Sequence, residues 1–164
     1  MPLAYHVTLF LHVGAAIVWL GGMLAFVVIA PIVREVEDDA ARQRLFQRLG
    51  ERFRVVGWAC IGVLLATGPL QLWFRGWWGA AVLGSSLFWG SPLGHTLALK
   101  LTAVMAMLVV QAIHDFWLGP LAGRAVPGTP RAQALGRRAA LLARLNAVVG
   151  ILLIWLAVQL ARGS

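Results

Sequence analysis

Apolar positions along this chain gather into four long runs, and the polar positions collect between them. The runs cover roughly Ala4–Ile32, Val55–Phe74, Leu93–Leu118 and Ala139–Leu160. Each reaches the ~20 mostly apolar residues that carry a helix across a bilayer. Lys100 interrupts the third run well inside it. A second periodicity precedes the second run. Leu45, Leu49, Phe53 and Val56 recur at helical spacing, with Arg44, Arg48 and Arg52 on another face. That is the pattern of an amphipathic helix lying at the headgroups and leading into the span. The prediction is an all-α membrane protein, a single domain over residues 1–164 built as a four-transmembrane-helix bundle.

Composition sharpens this reading. Hydrophobic residues make up 60% of the 164 and charged residues 12%, roughly half the charged share of a soluble domain. The positions of the arginines give a predicted orientation. The first connection holds Arg34, Arg42, Arg44, Arg48, Arg52 and Arg54, and the third holds Arg124, Arg131, Arg137 and Arg138. The second connection has Arg75 and the C-terminal end Arg162. The first and third connections are therefore expected in the cytoplasm and both termini outside it, in an inner (plasma) membrane. On this reading the net charge of +8 is a topology signal and an affinity for anionic lipid, with no nucleic-acid partner implied. No Lys or Arg precedes the first run and no A-x-A-like site follows it, so the run is expected to persist as a span. Cys60 is the only cysteine, which excludes a disulfide framework and Cys-based metal motifs.

The second connection, Gly76–Pro92, carries no charge and is rich in Trp and Gly. Trp73, Trp77, Trp78 and Trp89 suit the outer interface, where indole rings collect. They form either an aromatic belt or a lid over an outward-opening cavity.

Candidate chemistry lies in the polar residues within the spans. At 1.5 Å of rise per residue, His12 sits about 12 Å and Lys100 about 10 Å below the outer ends of their helices. Thr67 and Gln71 belong near the same level, and His6 and His95 form a shallower pair. From Lys100 a stripe at helical spacing runs inward through Met107, Gln111 and His114 to Asp115. A charged Lys in hydrocarbon costs several kcal/mol unless it snorkels or is paired. The six acidic residues, Glu35, Glu37, Asp38, Asp39, Glu51 and Asp115, all fall on or near the cytoplasmic side. Either Lys100 is carried as the neutral amine, or an anion from outside the sequence occupies the outer half.

Haem b meets the second condition. Its iron takes an axial His, and its propionates take basic or hydroxyl partners. His12 is the candidate ligand, with His95 or Lys100 opposite it. Lys100, Thr67, Gln71 and Arg75 are candidates for the propionates, and Trp19 for the flank of the ring. Two other readings stay open. His6, His12 and His95 make a sparse copper site, although Met23, Met105 and Met107 are scattered and soft copper(I) ligands normally cluster. Alternatively, the polar residues only tie helices together in a structural membrane protein without a cofactor. At the inner end, His114–Asp115 beside Arg144 reads as an ion-pair and hydrogen-bond network locking two helices, or as a relay from the cytoplasmic face.

The stretches LHVGAAIVWLGGMLAF (Leu11–Phe26), GERFRVVGW with LLATG (Gly50–Gly68), TLALKL (Thr96–Leu101), HDFWLGP (His114–Pro120) and ARLN (Ala143–Asn146) resemble the copper-resistance D (CopD) family in order along nearly the whole chain. The chain is also distantly similar to HemJ-type protoporphyrinogen oxidases, in which a His in span one is implicated in binding b-type haem; His12 is the matching position. The resemblance implies a redox or tetrapyrrole-handling role, such as an oxidoreductase with a membrane or periplasmic redox partner, or copper movement as the CopD name suggests. Two features separate the chain from the oxidases: FVVIAPIVRE follows span one, and Ala147 rather than an acid follows Asn146.

Overall fold

The computed structural model describes residues 2–162. Four of its helices, or runs of helix, are long and apolar enough to cross a membrane. They are α1 (Leu3–Arg34), α2 (Asp39–Phe74), a third run from Pro92 to Arg124, and α7 (Pro130–Arg162). The third run comprises α5 (Pro92–Ala112), a π-helical turn (Ile113–Leu118) and α6 (Gly119–Arg124). Two single turns, α3 (Ala80–Leu83) and α4 (Ser86–Trp89), fill the second connection, and no strand occurs among the described residues.

Local chemistry explains where the helices begin and end. Asp38 caps α2, accepting from the Ala40 amide at 2.9 Å, and Asp39 in the first turn pairs with Arg42. Ser91 accepts from the Gly94 amide at 3.1 Å and Pro92 follows it, an N-cap residue ahead of a Pro that has no amide to lose. α2 ends at Gly76, whose φ of 72° lets the Trp77 amide turn back onto the Leu72 carbonyl at 2.9 Å. That is the left-handed helix ending that glycine permits at least cost.

The amphipathic segment expected at the headgroups, leading into the second span, forms one continuous helix with it. Gln43 explains part of this, because its side-chain amide donates to the carbonyls of Gly123 and Ala125, both at 2.9 Å. The extension is thus clamped to the end of the third run rather than lying free on the headgroups.

α1 packs chiefly on α2, and α5 chiefly on α7. The two hairpins meet where α1 touches α7 and where α2 touches α6. α2 and α5 themselves make almost no close backbone approach among the described residues. The hairpins are therefore joined by backbone contact at the inner end, while α2 and α5 share the core cluster through Cys60, Ile61 and Met107. The core is small: Trp19, Leu20, Cys60, Ile61 and Met107, bordered by Met23, Trp58 and Val149. Gly57 and Gly150 bring α2 and α7 against Trp19 and Leu20, the small-residue contact that lets membrane helices approach closely. Large apolar side chains such as Phe10, Val28 and Trp155 stay on the outside, as they do when the surrounding solvent is lipid.

Candidate functional site

The outer site grows from one hydrogen bond between the first two helices. His12 Nδ1 lies 2.7 Å from Thr67 Oγ1, and Thr67 donates its single hydroxyl proton to the Val63 carbonyl at 2.6 Å. The two bonds can form together only when His12 Nδ1 is the donor. The tautomer follows: the lone pair of His12 sits on Nε2, the nitrogen left open for a metal, as in metal-ligating histidines held by their other nitrogen. Gly68 flanks the ring, and a Cβ there would stand 3.8 Å from His12 Cε1.

One turn outward, the same logic applies to Gln71. Thr8 has one proton for the Ala4 and Tyr5 carbonyls, both 3.0 Å away, and accepts from Gln71 Nε2 at 3.2 Å. Gln71 Oε1 is left buried without a donor among the described residues. Lys100, half-buried on α5, is close enough to His12 to act on it electrostatically, and Arg75 is close enough to act on Lys100. Every acidic side chain lies toward the other end of the bundle. The site thus offers a bare imidazole nitrogen, a bare amide oxygen and a lysine amino group with no carboxylate beside it.

The structure treats the remaining predicted residues differently. Arg75 is already engaged, donating to the Leu160 carbonyl at 2.9 Å and lying 5.2 Å over the Trp77 ring, so it caps the end of α7. Trp19 is buried deeper, in the core. His6 and His95 are exposed, and His6 stacks edge-on with Tyr5. Among the described residues no three His, Cys, Asp or Glu side chains stand close enough to share a metal ion. In the second connection, Trp89 Nε1 donates to the Leu83 carbonyl at 2.7 Å and packs on Phe88, which meets Trp77. Trp73 and Trp78 remain exposed.

The inner cluster is larger than the sequence indicates. Asp115, only 7% exposed, accepts from Trp58 Nε1 at 2.9 Å and Gln111 Nε2 at 2.6 Å on one oxygen, and meets His114 Nδ1 at 2.8 Å on the other. Gln111 Oε1 in turn accepts from Asn146 Nδ2 at 2.6 Å. Asn146 is 2% exposed, and its Oδ1 has no partner among the described residues. Arg144, expected beside the pair, is exposed and makes no hydrogen bond or ion pair to it. The arginine that does reach it is Arg54, on the Asp115 carbonyl at 3.3 Å. Two positions separate Arg144 from Asn146 on α7, so only one of them can face the bundle. The network spans three of the four long helices around a π-helical turn, a feature frequent at functional sites.

Residues 47–160 match the family model described as copper resistance protein D. The chain belongs to the CopD family. In this CopD-family membrane protein the matched region runs from α2 to α7, and so includes Thr67, Gln71, Lys100, Asp115 and Asn146 but not α1 with His12. An uncharacterized protein of Aquifex aeolicus (strain VF5) is 29% identical over 159 residues, covering 94% of both chains. No solved structure matches the chain.

Proposed function

We propose that this copper-resistance-type membrane protein binds haem b through His12, in a redox or tetrapyrrole-handling role. The observation that carries the reading is the tautomer of His12 set by Thr67, with a half-buried Lys100 near enough to act on the ring and no acidic side chain to balance it. A bare metal cation brought beside an ammonium group is repelled. Iron inside a dianionic ring that carries two propionates is not, and Lys100 gains the counter-charge it lacks. Gly68 keeps the flank of His12 low. The residues present therefore suit the group: His12 would hold the iron, Lys100 a propionate, and Gln71 Oε1 would accept from a protonated or hydrated group. Bound there, haem supplies one-electron chemistry. The protein supplies the ligand orientation through Thr67 and the charge through Lys100.

Copper(I) handling is the second reading, and it has its own observations. The family description names copper resistance. Met23, Cys60 and Met107, scattered over three helices in the sequence, gather at one core cluster, and soft sulfur ligands suit copper(I). An absorption spectrum of the protein purified in mild detergent, with metal analysis of the same sample, separates the two. A Soret band with near-stoichiometric iron supports haem. Colourless protein carrying copper overturns it in favour of copper.

The orientation belongs to the same proposal. With the arginine-rich connections in the cytoplasm, His12 faces the outer side of an inner (plasma) membrane. Reporters fused at either terminus should then read as extracytoplasmic, and cytoplasmic signals from both would reverse the site's exposure.

A further inference from the structure

At the arginine-rich end of the bundle, the π-helical turn and α6 run beside α7 and leave a shallow open groove. Ile113, Trp117 and Leu121 form one wall, and Leu135, Leu141 and Leu142 the other. Its single charged lining residue is Arg138. Arg138 is exposed and makes no ion pair or hydrogen bond among the described residues. Arg124, Arg131 and Arg137 add positive charge nearby in the chain, and no acidic side chain lines the groove. On α7, Leu141 and Leu142 follow Arg138 toward the middle of the span, so the charge marks headgroup depth and the apolar walls continue into the hydrocarbon.

We propose that this groove is a binding site for one anionic phospholipid of the adjoining leaflet, its phosphate on Arg138 and one acyl chain lying between Trp117 and Leu142. The apolar walls accept a chain from any lipid, so selectivity for the headgroup charge rests on Arg138. The guanidinium meets a phosphate through paired N–H donors, and a net negative headgroup adds attraction that a zwitterion lacks. The site stands apart from His12 and holds whether the protein carries haem, copper or neither.

Native mass spectrometry of the full chain in mild detergent, after mixing with phosphatidylglycerol or phosphatidylcholine of the same acyl composition, tests it. Wild-type protein should retain one phosphatidylglycerol in preference to phosphatidylcholine. Arg138→Gln should lower that retention about fivefold, the factor expected from one basic residue at an anionic surface. Arg131→Gln, an equal change of charge outside the groove, should leave it within about twofold, and Leu142→Trp should lower retention by filling the groove. Equal retention of the two lipids, or equal losses in Arg138→Gln and Arg131→Gln, would overturn the site and leave only a diffuse surface charge.

Discussion

Replacing Asp115 by Leu tests whether the inner network holds the hairpins together. The substitution removes one acceptor and keeps three donors, on Trp58, Gln111 and His114. The bond to Trp58 joins α2 to the third run, where the backbones of α2 and α5 scarcely approach each other. Polar contacts between membrane helices average ~0.6 kcal/mol and reach ~1.7 kcal/mol. Leaving a buried donor without a partner costs about 1–3 kcal/mol. Against this stands relief from burying a carboxylate, ~2.5–3.5 kcal/mol at mid-membrane, but smaller here because Asp115 lies near the inner end of its span. The loss prevails, and we expect a net destabilisation of about 2 kcal/mol. Unfolding in mixed micelles of rising SDS content measures it. Trp58→Phe should cost roughly half as much, and the double variant little more than Asp115→Leu alone, since both remove the Trp58–Asp115 bond. His114→Gln should lower stability by about 1 kcal/mol, the size of one hydrogen bond, without altering any haem spectrum. An Asp115→Leu protein as stable as wild type would refute the reasoning, because desolvation of the carboxylate would then outweigh its hydrogen bonds.

Two further substitutions probe the outer site and the core. Thr67→Val keeps the shape but removes the acceptor that fixes His12, so metal or haem affinity should fall about 10–100-fold, as when a ligand's orienting partner is lost; Thr67→Ser should retain it, and titration with haem measures both. Gly150→Ala places a Cβ 2.9 Å from Leu20 Cδ1 and 3.3 Å from Trp19 Cζ3, which should cost about 1–3 kcal/mol of overpacking and appear as a lower melting temperature in detergent.

The four spans were legible because lipid imposes a plain rule: long apolar runs must become helices that satisfy their own backbone. The docking of the α2 extension was not, since whether an amphipathic segment lies on the headgroups or stacks under a span depends on contacts such as Gln43 with Gly123, 80 positions away. The outer site was legible in part. Equal depths bring His12, Thr67 and Lys100 near one level, but depth says nothing of rotation about the helix axis. Arg75 is turned to the Leu160 carbonyl and Trp19 into the core for that reason. In the inner cluster, Asp115 and His114 were conspicuous as charged residues at a span end. Trp58 was hidden because an indole at an interface signals a belt as readily as a hydrogen bond, and Asn146 because its partner Gln111 lies 35 residues away. The π-helical turn has no signature in the apolar spacing.

The central claim is that His12 holds iron and Lys100 balances the charge that arrives with it. The most direct measurement compares absorption spectra and haem content of wild-type, His12→Ala and Lys100→Met proteins purified in mild detergent from haem-replete cells. The account predicts a Soret band in wild type, loss of most haem in His12→Ala, and weaker haem retention with little-shifted bands in Lys100→Met. A wild-type protein without haem, together with a Lys100→Met variant that is simply more stable, would contradict it.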